Sequence, residues 1–213
     1  MKKIVLTLLY TLILRHFLQV IMGVHYNNRA ALDEADQFIL VANHNSHLDT
    51  VALMSALTPQ QVALTKPVAA GDYFGKTGLK KWLTQFFVNA LLIPRSRPKE
   101  GENNPDPIQL MINELDKKNS LILFPEGTRG EADKMQKFKK GIGLVLSQRP
   151  DIPFIAAHLK GMGKLLPKGE SIPVPFDNYV RFGNPVYTHG LSVEEIVALV
   201  EKEILDLAVL QEG

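Results

Sequence analysis

The chain has 213 residues, 46% hydrophobic and 22% charged, with 24 Lys and Arg against 22 Asp and Glu for a net charge of +2. That length fits one sizeable core, and the composition is globular or membrane-peripheral rather than disordered. The small net charge, without basic runs interleaved with aromatics, argues against nucleic acid as a partner; the absence of cysteine excludes disulfides, thiolate zinc sites and an acyl-cysteine intermediate.

Lys2 and Lys3 precede the apolar run Ile4 to Leu14; Arg15 and His16 interrupt it, and apolar character resumes from Phe17 to Val24. A spanning helix needs about 20 uninterrupted apolar residues, and a central arginine is costly there. Thr7, Thr11, Arg15 and Gln19 fall at four-residue steps, so they share one face of a helix whose other sides carry Leu, Ile, Val and Phe. The pattern predicts a monotopic helix lying in the membrane interface, with Lys2, Lys3 and Arg15 near anionic headgroups. A cleaved signal peptide starts in the same way, but no small-x-small cleavage site is evident before Tyr26. Residues 1–26 are expected to form this membrane-interacting segment, and residues 27–213 one folded domain.

Phe38 to Ala42 reads as a buried strand, and Asn43-His44-Asn45-Ser46-His47-Leu48-Asp49 follows it. His44 then sits at the C-terminal edge of a strand, where α/β folds commonly place chemistry. Ser46 is expected to cap a helix begun by Leu48, Val51, Ala52 and Met54, with Asp49 as the acidic partner of a capping box. A carboxylate in the first helical turn is favoured by the dipole, and beside a histidine it holds the tautomer and stabilises the imidazolium. His44 and Asp49 are therefore the candidate base and its orienter. Ser46 is not a candidate nucleophile, because it caps a helix and no nucleophile elbow surrounds it.

Thr58-Pro59 ends that helix, and Val62-Ala63-Leu64 reads as a short strand that would put Lys66 at a second strand end. Leu79, Trp82, Leu83, Phe86 and Phe87 recur at helical spacing beside Lys76, Lys80 and Lys81, a stripe that suits the core or a membrane-facing surface. Ala90 to Ile93 is a strand broken by Pro94 and followed by Arg95-Ser96-Arg97; Arg95 suggests an anion site, while Arg97 suits a solvated turn. Residues Lys99 to Pro105 form a polar loop, and Asp106-Pro107 starts a helix with Ile108, Met111, Ile112 and Leu115 on one face.

Ser120 to Phe124 is a second buried strand, followed by Pro125-Glu126-Gly127-Thr128-Arg129-Gly130. Gly127 permits an unusual backbone angle and close approach to a ligand, and Arg129 offers a planar fork suited to phosphate or carboxylate. Gly141 and Gly143 mark the start of a helix pressed against a site or another backbone. Strands over Ile152 to Leu159 and Tyr179 to Gly183 are joined through a Pro- and Gly-bearing connection, Pro167 to Pro175. Ser192 and Glu195 form a capping box for a last helix through about Val209. The whole predicts a mixed central sheet flanked by helices.

Three motifs carry a family resemblance. Asn43-His44 with Asp49, then Ile93-Pro94-Arg95, then Phe124-Pro125-Glu126-Gly127-Thr128-Arg129 resemble, in order and spacing, those of the glycerophospholipid acyltransferase superfamily, and most closely the 1-acylglycerol-3-phosphate acyltransferases. The similarity covers roughly Phe38 to Gly161, and the Phe138-Lys139-Lys140-Gly141 segment looks like the family's next helix. The chain departs at Ala90, where the family has a glycine before its arginine, and at Ile152-Pro153-Phe154, which keeps one proline of a motif that usually has two; both departures bear on the acceptor. The resemblance implies a single α/β acyltransferase domain over 27–213, on the cytoplasmic face of the inner or cell membrane. It also implies fatty acyl transfer from acyl-CoA or acyl carrier protein to a lysophospholipid hydroxyl. His44 would be the base and Asp49 its orienter. Arg95, Glu126, Gly127, Thr128 and Arg129 would bind the acceptor, and Lys66 or the amides around Gly127 would contact the oxyanion or phosphate. No bound cofactor or metal is implied. The acceptor implied is 1-acylglycerol 3-phosphate; an acyltransferase for another lysophospholipid or an amino-acid lipid, a thioester or lipid hydrolase, or a non-catalytic lipid-binding protein on the same fold are the alternatives.

Overall fold

The structure, a computed structural model, describes residues 2–46, 48–71, 88–95, 98, 105–130, 135–162 and 178–209. The expectations for the stripe from Leu79 to Phe87, Arg97, most of the loop after Lys99 and the Pro167 to Pro175 connection lie outside these residues, as does His47. Seven strands, β1 (Val24–Asn27), β2 (Ile39–Ala42), β3 (Thr65–Ala70), β4 (Leu91–Ile93), β5 (Ser120–Leu123), β6 (Phe154–Lys160) and β7 (Asn178–Val186), form one sheet. Their order is β1-β7-β6-β2-β5-β3-β4. Strands β2 to β6 run parallel, and β7 pairs antiparallel with β6. The described helices are α1 (Lys2–Ile21), α2 (Leu48–Ala56), α3 (Pro59–Leu64), α4 (Pro107–Asp116), α5 (Gly141–Gln148) and α6 (Val193–Val209).

Strand β2 is buried at all four residues, and its alternating side chains feed two separate cores. Leu40 and Ala42 join Leu6, Tyr10, Leu53 and Leu57 from the α1 to α3 side. Ile39 and Val41 join Leu115, Val145, Leu146 and Ile204 from the α4 to α6 side. The result is three layers, and it sets the place of chemistry. The chain leaves β2 into α2 on one face and leaves neighbouring β5 towards α5 on the other, so a crevice opens at their C-terminal ends.

Two sequence expectations are corrected. The Val62 to Leu64 segment is the end of α3, which starts with Pro59 at its first turn and a complete Thr58/Gln61 capping box; the strand begins one residue later, at Thr65. Lys66 therefore lies early in β3, level with Leu121, rather than at a strand end. It does not reach the crevice as an oxyanion or phosphate contact. Its ammonium instead pairs with Glu114 of α4 at 2.6 Å.

Arg15 is the second correction. It does not face headgroups: its guanidinium turns inward and donates to the carbonyls of Ser55, at 2.6 Å, and Leu57 at the C-terminal end of α2. Thr11 is buried and Thr7 donates to the Pro59 carbonyl, so most of the polar stripe faces the domain. The opposite face is apolar and open, with Ile4, Leu8, Ile13, Phe17, Val20 and Ile21 exposed.

Burial alone would raise the pKa of Glu114, but hydrogen bonds from Lys66, Lys117 and Asn119 hold its carboxyl at about 2. A depressed folded pKa stabilises the fold above the unfolded value, near 4.3, and that contribution is lost as pH falls from there towards 2. Glu114→Gln is expected to lower stability by roughly 1–3 kcal/mol at pH 7. Urea midpoints should show the gap to wild type closing below about pH 4; an unchanged gap at pH 3 would contradict this.

Candidate active site

Asn43 fixes where β2 ends. Its buried side chain accepts from the Leu159 amide at 2.8 Å and donates to the Leu159 carbonyl at 2.9 Å, extending the β2–β6 ladder through a side chain. The next residue is His44, whose side chain is 18% exposed. Its Nδ1 lies 2.9 Å from Asp49 Oδ2. The same oxygen accepts the backbone N–H groups of Asn45 at 2.7 Å and Ser46 at 2.8 Å. Ser46 Oγ accepts from the Leu48 amide, so the expected cap of α2 is formed, one position earlier than a standard capping box would place it.

Asp49 is fully buried, and a buried carboxylate requires such donors. A carboxylate accepts and cannot donate, so its bond to Nδ1 places the proton there and leaves the lone pair on Nε2. The ring is held on its face as well, stacked on Phe124 with centroids 4.0 Å apart and planes 19° apart.

The loop after β5 grips the His44 backbone on both sides. Glu126 Oε1 accepts the His44 amide at 2.7 Å, and the Gly130 amide donates to the His44 carbonyl at 3.0 Å. Glu126 Oε2 accepts the Gln136 amide at 3.0 Å. Glu126 is 2% exposed; burial pushes its pKa up, while the two backbone donors pull it the other way. Both oxygens of Glu126 are thus engaged with backbone, whereas the resemblance implied that this residue binds the acceptor or braces an arginine. Gly127 takes the left-handed φ of 71° that the tight turn needs, and its own amide donates to the Phe124 carbonyl at 3.0 Å. That amide is used within the turn, so among the amides around Gly127 it is not the one available to an oxyanion.

A cavity of about 440 Å³ opens beside the imidazole, and His44, Arg95, Gly127, Thr128 and Arg129 line it. Residues distant in sequence, after β2, β4 and β5, are thereby brought to one place. Val51, Val68 and Val88 supply an apolar side. Asp49 stands behind His44, Glu126 braces it from the neighbouring loop, and Lys66 lies elsewhere in the sheet. Sequence reasoning did not assign Asn43, Phe124, Gly130 or Lys139. Asn43 acts through a side-chain pairing with the Leu159 backbone, Phe124 through ring stacking and Gly130 through its amide, none of which residue type signals. Lys139 is tied to the loop by its amide, which donates to the Pro125 carbonyl at 2.9 Å.

The chain is 26% identical over 165 residues to human 1-acyl-sn-glycerol-3-phosphate acyltransferase alpha, an alignment covering 78% of this chain and 55% of the relative. It is 28% identical over 166 residues to the 1-acyl-sn-glycerol-3-phosphate acyltransferase of Cocos nucifera, covering 76% and 50%. The chain thus spans about half the length of the curated relatives it matches. The crystal structure of the 1-acyl-sn-glycerophosphate acyltransferase PlsC from Thermotoga maritima shares the fold, with a TM-score of 0.67 at 18% identity over 94% of this chain and 80% of that one. The family model described as Acyltransferase matches residues 23–158, the stretch that carries His44, Asp49, Arg95 and the loop after β5. On this evidence the chain belongs to the acyltransferase family.

Proposed function

We propose that the chain transfers a fatty acyl group from the thioester of acyl-CoA or acyl carrier protein to the free hydroxyl of 1-acylglycerol 3-phosphate. The observation that carries this reading is the His44–Asp49 pair opening onto a cavity that also holds Arg95 and Arg129. His44 Nε2 takes the proton of the acceptor hydroxyl as its oxygen attacks the thioester carbonyl. The tetrahedral intermediate collapses with loss of the thiolate, which recovers the proton from the imidazolium. Asp49 fixes the tautomer and stabilises the cation, and no acyl-enzyme forms. Arg95 and Arg129 supply charge complementary to the phosphate, Arg as bidentate donor. The amide of Thr128, which has no hydrogen-bond partner among the described residues and whose residue lines the cavity, is the loop's candidate oxyanion donor.

Glu126 is assigned here as a positioning residue, because it holds the backbone from which His44 projects. The exposed apolar face of α1 brings the domain to lipid, lying in the interface on the cytoplasmic side of the cell membrane.

Replacement of His44 by Ala is expected to lower kcat on the order of 10²–10⁴-fold. Asp49→Asn should cost a comparable factor while the protein still folds, since an amide nitrogen can take the place of Oδ1, which has no partner among the described residues. Chromatography of radiolabelled products distinguishes diacyl lipid from free fatty acid; free acid alone would identify a hydrolase instead. Turnover like wild type in His44→Ala would end the proposal.

Glu126→Gln sets an amide N–H₂ against one of two backbone donors. It should reduce kcat and leave the KM for the acceptor unchanged, whereas a direct headgroup contact would raise that KM.

For the membrane reading, Ile13 and Val20 lie seven residues apart on the open face, 64% and 75% exposed. The double variant Ile13→Asp/Val20→Asp should keep stability within about 0.5 kcal/mol per substitution and lose most sedimentation with anionic vesicles. Undiminished sedimentation would refute the interfacial role of α1.

A further inference from the structure

Phe124 meets His44 because two paired strands share one alternation of side chains. Leu40 of β2 is level with Ile122 of β5, both belong to the α1 to α3 core, and Phe124, two residues after Ile122, packs against that same core. The imidazole, two residues past the end of β2 at Ala42, rests on the Phe124 ring with centroids 4.0 Å apart and planes inclined by 19°. Neutral aromatic pairs keep their centroids roughly 4.5–7 Å apart and avoid direct face-to-face contact, because each face carries the negative side of a quadrupole. Here the imidazole lies over the ring instead of against its edge. A cation is attracted by the face that a neutral ring avoids. The stack therefore suits the imidazolium better than the neutral imidazole, and the imidazolium exists only after a proton has been taken.

Among the described residues, the charged groups around His44 are Asp49 from α2, Glu126 and Arg129 from the loop after β5, and Arg95 from the segment after β4. Asp49 meets the imidazole at its edge, through Nδ1. Phe124 meets it on its face, with no charge of its own and no proton to exchange. The His44 side chain is 18% exposed, so the contact is largely shielded from water, the condition under which a cation held on a ring face gains most.

We propose that Phe124 stabilises the imidazolium form of His44 during the reaction, through the negative face of its ring. As the acceptor O–H bond breaks, its proton goes to Nε2 and positive charge spreads over the imidazole, which the ring face beneath it attracts. When the C–S bond breaks and the departing thiolate takes the proton back, His44 is neutral again and the attraction ends. An interaction present in the transition state and not in the ground state raises kcat and leaves substrate binding alone. This assignment rests on the acyl-transfer reading above and adds to it a residue that acts through the base, by charge distribution as well as by position.

The test separates the ring's charge distribution from its shape. In the full chain, Phe124 is replaced by mono-, di- and trifluorinated phenylalanine, which keep the ring close to its size and draw electron density off its face; Phe124→Leu removes the face altogether. With acyl-CoA as donor and lysophosphatidate as acceptor, kcat is expected to fall with each added fluorine, and about 2- to 30-fold in Phe124→Leu. The KM values of the fluorinated proteins should not move. The acid limb of the kcat–pH profile should shift to lower pH along the series, since an imidazolium that has lost a stabilising contact gives up its proton more readily. A kcat that stays flat across the fluorinated series while Phe124→Leu is impaired overturns the proposal, and would mean that Phe124 only fills space beside the imidazole. A rise in acceptor KM at constant kcat also overturns it, by placing the ring on the acceptor. If the wild-type protein transfers no acyl group, the acyl-transfer reading fails while the stack is still decided by titration. The imidazole C–H signal that disappears in His44→Ala, followed by proton NMR, should then titrate at lower pH as fluorine is added, and one midpoint throughout would reject the proposal.

Discussion

The arrangement depends on one oxygen atom. Asp49 Oδ2 accepts from His44 Nδ1 and from the backbone N–H groups of Asn45 and Ser46, all within 2.7–2.9 Å. A fully buried carboxylate is tolerated because those donors, together with the start of α2, replace the water it has lost. Folding the turn and orienting the imidazole are therefore the same event. The ring cannot drift without the turn losing the acceptor for two amides, which is how a short loop after a strand holds a side chain to the tolerance that proton transfer demands.

The neighbouring strand completes the restraint. Because α2 and α5 leave β2 and β5 on opposite faces of the sheet, the two loops meet at the crevice instead of being covered by a helix. Glu126 and Gly130 take the amide and the carbonyl of His44, and Phe124 takes the face of its ring. Three directions of motion are closed by one loop. A buried glutamate in this role has an energetic consequence: burial penalises its charge, and two backbone N–H donors oppose that penalty without cancelling it.

What was legible in the sequence is what local physics decides. The buried run Ile39–Ala42, the first-turn Asp49, the Asp106-Pro107 start of α4 and the Ser192/Glu195 box each follow from periodicity and capping, and each is present. The Val62 to Leu64 segment shows the limit. Three apolar residues fit a strand or a buried helix equally, and the decisive signal was the Thr58-Pro59-Gln60-Gln61 cap before them. Lys66 and Arg15 were misplaced for another reason. A cation's partner is set by tertiary neighbours: Glu114 is 48 positions from Lys66, and Ser55 is 40 from Arg15. Glu126 belongs with them, since nothing in its motif tells a substrate contact from a brace on a backbone that arrives 82 residues earlier.

Arg15 also alters how α1 relates to the site. Helix α2 carries Asp49 in its first turn; at its other end, Arg15 and Arg29 donate to the carbonyls of Ser55, Ala56 and Leu57, and Tyr26 donates to that of Ala52. The carbonyls of Ser55, Ala56 and Leu57 are ones that a helix terminus leaves without internal partners, and two guanidinium groups there complement the negative end of the dipole as well. One helix is thus bonded at its N-terminus to the imidazole and at its C-terminus to the segment whose opposite face is apolar and exposed. The arginine that breaks the apolar run of α1, and so argues against a membrane span, is the residue that fastens this helix to the domain. An outward apolar face and an inward arginine are two consequences of one amphipathic pattern, with the polar side turned towards protein instead of water.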